Sequence, residues 1–307
     1  MSLMPPVTLK EDDNKSQGVE RSSECLMTSQ ETAKEETPMD NLLLASQTIL
    51  ESAQKQGRSK CPRCHGSRMF YCYTCYVPVE TVPTRDIPVV KLPLKIDIIK
   101  HPNETDGKST AVHAKLLAPE DVMIYTYPCI PDYEEMRHEI ALIFPGPNSI
   151  LVNDIPLSLQ SKCEKNVSSD KDGDSAMAPA LKSARLESGE DGSVSEQQVH
   201  SGSKNTPLKK IIFIDSTWNQ TNKIVTDERL QGLLQIELKS RKTCFWRHQK
   251  GKPDTYLSTI EAIYYFLVDY HKEFLKEKYE GQYDNLLFFF SFMYKLIRNA
   301  RGSAGKE

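Results

Sequence analysis

Apolar positions along the chain predict a set of short strands. Residues 211–214 are apolar on both faces, which is typical of a buried strand in a parallel sheet, and Asp215 follows directly. Short β-branched runs broken by Pro and Gly predict four more strands, at Val89–Leu94, Lys95–Ile99, Val122–Tyr127 and Glu139–Phe144.

Other apolar positions recur at helical spacing. A first helix is expected with Asp40 as its N-cap and Gly57 at its end. Further helices are expected from Thr226 (with Leu230, Leu233 and Leu234), at Ser258–Asp269 and at Asp284–Arg298. Strands that alternate with helices point to an α/β fold.

Two polar stretches without an apolar period divide the chain. Residues 1–39 and 160–206 are rich in Ser, Lys and acidic residues, and both are predicted to be disordered. Residues 40–76 then form a helix and a cysteine segment, and 77–300 form one catalytic domain interrupted by 160–206. A chain of 307 residues with 38% hydrophobic and 26% charged residues fits this mixture of core and polar segments.

The composition also excludes several functions. No run of about 18 apolar residues exists, so a transmembrane helix and a membrane partner are not expected. The N-terminal residues lack the apolar core of a secretory signal, and early acidic residues argue against mitochondrial import. A net charge of −3 gives no global attraction to nucleic acid. We expect a cytosolic or nuclear protein whose eight Cys stay reduced.

Four cysteines have the spacing of metal ligands, C-x2-C-x7-C-x2-C: Cys61, Cys64, Cys72 and Cys75. Two residues between thiolates let both reach one ion, and two such pairs supply the tetrahedral ligands of a structural zinc. Four thiolates leave no open coordination position, so the zinc would not be catalytic. The alternative is two reduced cysteine pairs without metal.

Asp215 and the residues after it are the sharpest functional signal. In open α/β sheets ligands bind outside the carboxyl ends of the strands, so Asp215 followed by Ser216 and Thr217 predicts a carboxylate in a crevice. The alternative is that Asp215 or Ser216 caps the next helix while Trp218 packs against the core.

Two loops that follow predicted strands are weaker candidates. The Pro145-Gly146 loop would let backbone approach a ligand closely, although an ordinary turn has the same residues. The His101–Glu104 loop pairs His with Glu, as an acid/base pair or as plain surface.

A basic segment at 239–252 carries six Lys or Arg, no acid and two aromatic residues. Basic side chains neutralise phosphates, and Phe or Trp offers a stacking face to unpaired bases. A solvated basic loop is the alternative. The predicted RNA-binding residues are Arg241, Lys242, Trp246, Arg247 and Lys250.

These motifs, in this order, resemble those of the DTW-domain tRNA-uridine aminocarboxypropyltransferases. The resemblance covers about residues 58–270 and rests on the paired cysteines, His101–Glu104, Phe144–Gly146, Asp215–Trp218 and Leu257–Ala262. The chain departs from many members by Ser216 in place of Gly, by Phe144 in place of Tyr and by the insertion at 160–206.

The resemblance implies transfer of the 3-amino-3-carboxypropyl group of S-adenosylmethionine to N3 of a uridine in the tRNA D-loop, at position 20. Methylthioadenosine would leave, and the enzyme would be nuclear. The resemblance also implies a SPOUT-like, knotted α/β domain behind an N-terminal zinc-ribbon-like segment. It indicates tRNA as partner and no particular protein partner.

The resemblance also suggests roles for single residues. Asp215 would take the N3 proton or hold the cofactor's ammonium or sulfonium, with Thr217 and Trp218 beside it. The predicted cofactor-binding residues are Pro145, Gly146, Ser258, Thr259 and Glu261. Two other functions stay open: a methyltransferase of the same fold, and a non-catalytic zinc-ribbon protein that binds RNA.

Overall fold

A five-stranded sheet whose neighbouring strands are all parallel organises the protein. The computed structural model describes residues 39, 41–104, 106–158, 208–247 and 253–304. The strands are β1 Ser59–Lys60, β2 Ser67–Arg68, β3 Tyr71–Cys72, β4 Val77–Pro78, β5 Lys95–Lys100, β6 Val122–Thr126, β7 Ile140–Ile143, β8 Lys210–Asp215 and β9 Leu234–Ile236. The large sheet has the order β6-β5-β8-β7-β9, and β1/β2 and β3/β4 are small antiparallel hairpins. The α/β class is confirmed, and the SPOUT-like, knotted arrangement stays a prediction.

Strand β8 lies in the middle of the sheet because its sequence is apolar on both faces. Residues 211–213 are at most 2% exposed. The register places Lys100 opposite Asp215, so β5 and β8 end together at one edge of the sheet. The predicted parallel strand is therefore confirmed, with Asp215 as its last residue. Three of the other four predicted strands are present as β5, β6 and β7.

Helices pack against the sheet. They are α1 Thr48–Gln56, α2 Ala111–Leu117, α3 Trp218–Val225, α4 Thr259–Asp269 and α5 Phe288–Ala304, with shorter 3-10 turns at Thr84–Asp86, Glu134–Glu139, Val152–Asp154 and Asp284–Leu287 and a π turn at Tyr270–Phe274. Phe266 of α4 contacts Phe213 of β8 edge to face, with ring centroids 6.0 Å apart. The apolar helix predicted at 258–269 is confirmed, and the one predicted at 284–298 is present from Phe288 after a 3-10 turn at Asp284–Leu287. None of the described helices is long and apolar enough to cross a membrane.

The first predicted helix is wrong at its start but right at its end. Helix α1 begins at Thr48, not after Asp40, because the backbone N–H groups of Leu43 and Ala45 donate to side chains of another segment, Asp284 and Asn285 (both 2.8 Å). Those long-range bonds replace the intrahelical bonds that the apolar spacing suggested. The helix ends at Gly57, whose φ of 85° is costly for other residues.

Two other predicted elements do not form. Residues 89–94 are not a strand, because prolines flank and interrupt the run and the N–H of Val90 bonds to Leu117 O (2.7 Å). The helix expected from Thr226 is a series of turns, since Gly232 adopts a φ of 77° and Leu234 begins β9. Leu117 lies far from Val90 in the sequence, so a local sequence pattern does not show this hydrogen bond.

The two residues that precede strand β8 anchor it in the fold. Leu208 is fully buried, and Lys209 donates its N–H to Glu139 O while Lys95 donates to Lys209 O (both 2.9 Å). On the other side of the predicted insertion, Val152 is 2% exposed. The disorder predicted for 1–39 and 160–206 lies outside the described residues, apart from Met39. The division into 40–76 and 77–300 stays a prediction.

Candidate active site and metal centre

The four predicted cysteine ligands meet. The sulfur atoms of Cys61, Cys64, Cys72 and Cys75 all lie within 4.8 Å of one another. Each pair forms the same tight turn: His65 N donates to Cys61 O (3.0 Å) and Tyr76 N donates to Cys72 O (2.9 Å). His65 and Tyr76 both have positive φ, 56° and 54°, which turns the chain after each second cysteine.

The chemistry of this donor set fits a tetrahedral zinc. Burial alone would raise the pKa of the Cys72 thiol, but N–H groups of Cys75 and Thr74 donate to the sulfur and lower that pKa to about 6. The N–H of Arg63 points at the Cys61 sulfur from 3.4 Å. Backbone donors aimed at sulfur favour thiolates, which are the form that binds metal.

Asp215 lies at the carboxyl end of β8 and is 4% exposed. Its two oxygens accept hydrogen bonds from hydroxyl groups of two other segments, Ser109 before α2 and Thr259 at the start of α4 (both 2.6 Å). Burial raises the pKa of Asp215, although the two hydroxyl donors and Lys100 work against that rise. A buried carboxylate with a raised pKa is a better proton acceptor than a surface one.

The helix-cap alternative for Asp215 and Ser216 is wrong. The N-cap of α3 is Thr217, which forms a capping box with Gln220. Thr217 is exposed and its hydroxyl has this structural partner, so the structure gives no contact that supports its predicted catalytic role. Trp218 is the first residue of α3, and its side chain lies outside the described part.

Lys100 lies beside Asp215 and was missed by the sequence analysis. It ends β5, is 9% exposed, and its ammonium is paired with Asp106 in the following loop. Burial disfavours its charge, but Asp106, Tyr76 and Asp215 together outweigh burial and raise the pKa of Lys100. The signal that could have found it is a lysine at the end of a strand predicted to run parallel to β8.

A cavity of about 300 Å³ opens at the same edge of the sheet, between the ends of β7, β8 and β9. Its lining combines apolar side chains with hydroxyl groups and includes Phe144, Pro145, Ser216, Thr221, Tyr256, Leu257, Thr259 and Ala262. Two predicted cofactor residues, Pro145 and Thr259, therefore line it. Because Thr259 also donates to Asp215, it joins the cavity to the buried carboxylate.

The other predicted cofactor residues have structural surroundings. Glu261 is fully buried and accepts hydrogen bonds from Thr243 Oγ1 (2.7 Å), Cys244 N (2.6 Å) and the N–H and hydroxyl of Ser258 (2.8 and 2.7 Å). Glu261 and Ser258 thus cap α4 and hold the 243–244 segment against it. Neither these two residues nor Gly146 lines the cavity.

Glu237, just after β9, is an acidic residue that does line the cavity and that the sequence analysis also missed. Among the described residues Ser149 donates to one of its oxygens (2.9 Å). Like Asp215, Glu237 is a carboxylate at the end of a strand of the large sheet. This pattern could have identified Glu237 from the sequence.

The predicted RNA-binding residues separate into different environments. Arg241 pairs with the buried Asp269 (2.6 Å) and lies over the Tyr265 ring, so its charge has a structural partner. Trp246 is half-buried and packs on Phe290, with ring centroids 5.1 Å apart, so part of its ring surface is used within the fold and its stacking role stays a prediction.

Arg247 and Lys242 reach the surface in different ways. Arg247 donates to Gly107 O (2.9 Å) and so joins the basic segment to the loop that carries Asp106. Lys242 is exposed. Lys250 lies outside the described residues.

The His101–Glu104 loop stands at the same edge as Asp215. His101 is 8% exposed, donates its backbone N–H to Asp215 O (3.0 Å), and accepts the N–H of Asn103 at Nδ1 (3.1 Å). His101 is therefore built onto the end of β8, whereas Pro102 and Asn103 are exposed at the surface.

A comparison with known proteins identifies relatives. The model of the DTW domain family matches residues 69–298. The human protein named tRNA-uridine aminocarboxypropyltransferase 1 is 66% identical over 309 residues, which cover 100% of this chain and 98% of the relative. Proteins of the same name from Xenopus tropicalis and Mus musculus are 62% and 59% identical, covering 90% and 100% of this chain and 91% and 98% of the relatives. No solved structure gives a significant match.

Proposed function

The chain belongs to the DTW domain family, and from this we propose that it is a tRNA-uridine aminocarboxypropyltransferase. The donor is S-adenosylmethionine and the acceptor is N3 of a uridine in tRNA. One observation carries the assignment to this edge of the sheet: the buried Asp215 carboxylate is joined through Thr259 to a cavity at the carboxyl ends of parallel strands.

The reaction needs two events at the acceptor nitrogen. N3 of uridine loses its proton, and its electron pair forms a bond to the methylene carbon next to sulfur in the amino-acid arm of the donor. The carbon–sulfur bond breaks, its electron pair stays on sulfur, and methylthioadenosine leaves. A sulfonium is already an activated electrophile, so the enzyme must orient the correct carbon and remove the proton.

We assign Asp215 as the base that accepts the N3 proton of uridine. Each carboxylate oxygen has two acceptor positions and receives one hydroxyl donor from the described residues, which leaves a second acceptor position on each as far as these residues are concerned. The raised pKa of the buried carboxylate strengthens it as a base.

The cavity is where the donor would bind. Apolar walls such as Phe144 and Ile236 suit the adenine ring, and the Glu237 carboxylate suits the cationic arm or the ribose hydroxyls of the donor. Thr259 then lies between the donor cavity and the proton acceptor.

The finer specificity follows the family. We assign the acceptor to the D-loop uridine at position 20 and the enzyme to the nucleus. Nucleoside analysis of tRNA from cells that lack the enzyme tests the position, and fluorescence microscopy of the tagged full chain tests the location.

Zinc would be held by the four cysteines and would stabilise the two hairpins without taking part in the reaction. Elemental analysis should find about one zinc per chain. Cys61→Ser should lower the melting temperature and the zinc content, whereas Cys129→Ser, an exposed cysteine outside the cluster, should change neither. Metal-free protein with unchanged melting would remove the zinc assignment.

The decisive experiment distinguishes the transferred group. Purified protein is incubated with unmodified tRNA and with S-adenosylmethionine labelled either in the carboxylate or in the methyl group. Carboxylate label in tRNA supports the proposal, methyl label identifies a methyltransferase, and no label with retained tRNA binding indicates a non-catalytic RNA-binding protein.

A further inference from the structure

Lys100 is a charged residue whose burial costs free energy of desolvation. Lysine is rarely buried unless it is paired, and this one, paired with Asp106, is 9% exposed at the last residue of β5. In register it stands opposite Asp215, the carboxylate assigned to the acceptor proton. Its ammonium therefore lies at the edge of the sheet where ligands of parallel α/β folds bind.

The groups around Lys100 neutralise the charge of its ammonium only in part. Its ion-pair partner, Asp106, has a side chain that is 37% exposed and belongs to a loop. Asp215 and the half-buried Tyr76 also act on it electrostatically. The Lys100 side chain is 11% exposed, so the pair joins a largely buried ammonium to a partly exposed carboxylate.

A second semi-buried lysine of the same sheet shows the difference. Lys210 pairs with Asp97 (2.9 Å), which is 1% exposed and also accepts the Tyr133 hydroxyl (3.0 Å). Asp97 lies in the core and the Lys210 side chain is 23% exposed, so this pair serves to neutralise a core carboxylate. Lys210 begins β8 and Lys100 ends β5, so the two lysines mark opposite edges.

The proposed reaction creates a charge that Lys100 could balance. When N3 of uracil loses its proton, negative charge spreads onto the two ring carbonyl oxygens. A fixed cation beside the anion lowers the barrier, as donors do at developing oxyanions elsewhere.

We infer that Lys100 is a further catalytic residue of the proposed transfer, whose ammonium donates a hydrogen bond to a carbonyl oxygen of the deprotonated uracil. The N3 proton passes to Asp215, and Lys100 keeps its own proton throughout. Once N3 has bonded to the donor carbon, the ring is neutral again and the base is released. The acceptor base thus lies over the ends of β5 and β8, while the donor occupies the cavity at β7, β8 and β9.

This inference rests on the proposed function and can fail separately from it. The test compares wild type, Lys100→Met, Lys100→Gln and the matched control Lys210→Met in carboxylate-label transfer. Two tRNA transcripts are used, one with uridine and one with 5-fluorouridine, whose N3–H is more acidic. Donor affinity is measured by calorimetry.

Lys100→Met should lower kcat by about 10²-fold, the loss typical of one oxyanion donor, with donor affinity within about threefold of wild type. 5-Fluorouridine should restore this variant about tenfold more than it accelerates wild type, because an acidic base depends less on the ammonium. Lys100→Gln keeps a hydrogen-bond donor on a side chain that is one atom shorter, should fold if Lys100→Met does not, and should have a kcat between those of wild type and Lys100→Met. Lys210→Met should lose stability but keep kcat per folded molecule.

The inference is overturned if the Lys100 variants stay within threefold of wild-type kcat, or if 5-fluorouridine changes all variants equally. A wild-type protein that transfers no label would instead reject the proposed function, and the inference with it.

Discussion

Two buried carboxylates on neighbouring strands of one sheet, Asp97 and Asp215, have opposite surroundings. Asp97 contacts a lysine directly and accepts a tyrosine hydroxyl in the core. Asp215 has no direct ion pair among the described residues, accepts two aliphatic hydroxyls, and adjoins a cavity through one of them. The first carboxylate is paired within the fold, and the second is, under the proposed function, the proton acceptor.

The largest effect should come from Asp215→Asn. Loss of a general base costs about 10²–10⁴-fold in rate, so label transfer to tRNA should fall by that factor. Because burial raises the folded-state pKa of Asp215, its ionised form costs stability as pH rises through that pKa. Urea unfolding at neutral pH should therefore show no loss of stability. Turnover within tenfold of wild type would reject the base assignment.

Asp97→Asn should show the reverse pattern. The change leaves Lys210 without its partner in a largely buried site and should lower the free energy of unfolding by about 3 kcal/mol. Rate per folded molecule should stay near wild type. If this variant lost turnover while keeping its stability, the contrast between the two carboxylates would be broken.

Ser109→Ala tests the role of Asp215 through the pH dependence of kcat/KM. The Ser109 hydroxyl stabilises the ionised Asp215 and so lowers its pKa against the effect of burial. Without it the pKa rises further, and the acid limb of the kcat/KM profile should move to higher pH. Thr226→Val, which removes a surface hydroxyl bonded within its own turn, should leave the limb in place. An unmoved limb in Ser109→Ala would mean that Asp215 does not set it.

The smallest effect concerns the basic segment, where Arg241 is half-buried and Lys242 is exposed. Arg241 is bound to Asp269, so Arg241→Ala should lower the melting temperature and leave the salt dependence of tRNA binding nearly unchanged. Lys242 is exposed, and Lys242→Ala should reduce the slope of log affinity against log salt by about 0.7–1. Equal slopes for both variants would contradict this division.

Local sequence patterns correctly predicted the elements that are determined by contacts between residues close in the sequence. Strand β8 is apolar on both faces, and α4 is begun by a capping box within four residues, so both appear in the sequence. The stretch before α1 fails because its N–H groups bond to Asp284 and Asn285, more than two hundred residues away. No spacing within one segment records such a partner.

The same limit applies to the site. Asp215 was found because it follows its strand, and the four cysteines because their spacing is short. Lys100 was missed because only the strand register shows that it stands opposite Asp215. Arg241 looked like an RNA ligand because its partner, Asp269, comes 28 residues later on α4.

The anchoring of β8 has a consequence for engineering the chain. Lys209 is bonded to both neighbouring segments and Leu208 is fully buried, so the strand's register is set by contacts that do not involve the preceding residues. The entropy of closing a connection grows only with the logarithm of its length, about 0.6 kcal/mol for each doubling. We therefore expect the register of β8 to be kept when the length of the chain before Leu208 is changed, and thermal unfolding of such a variant measures this.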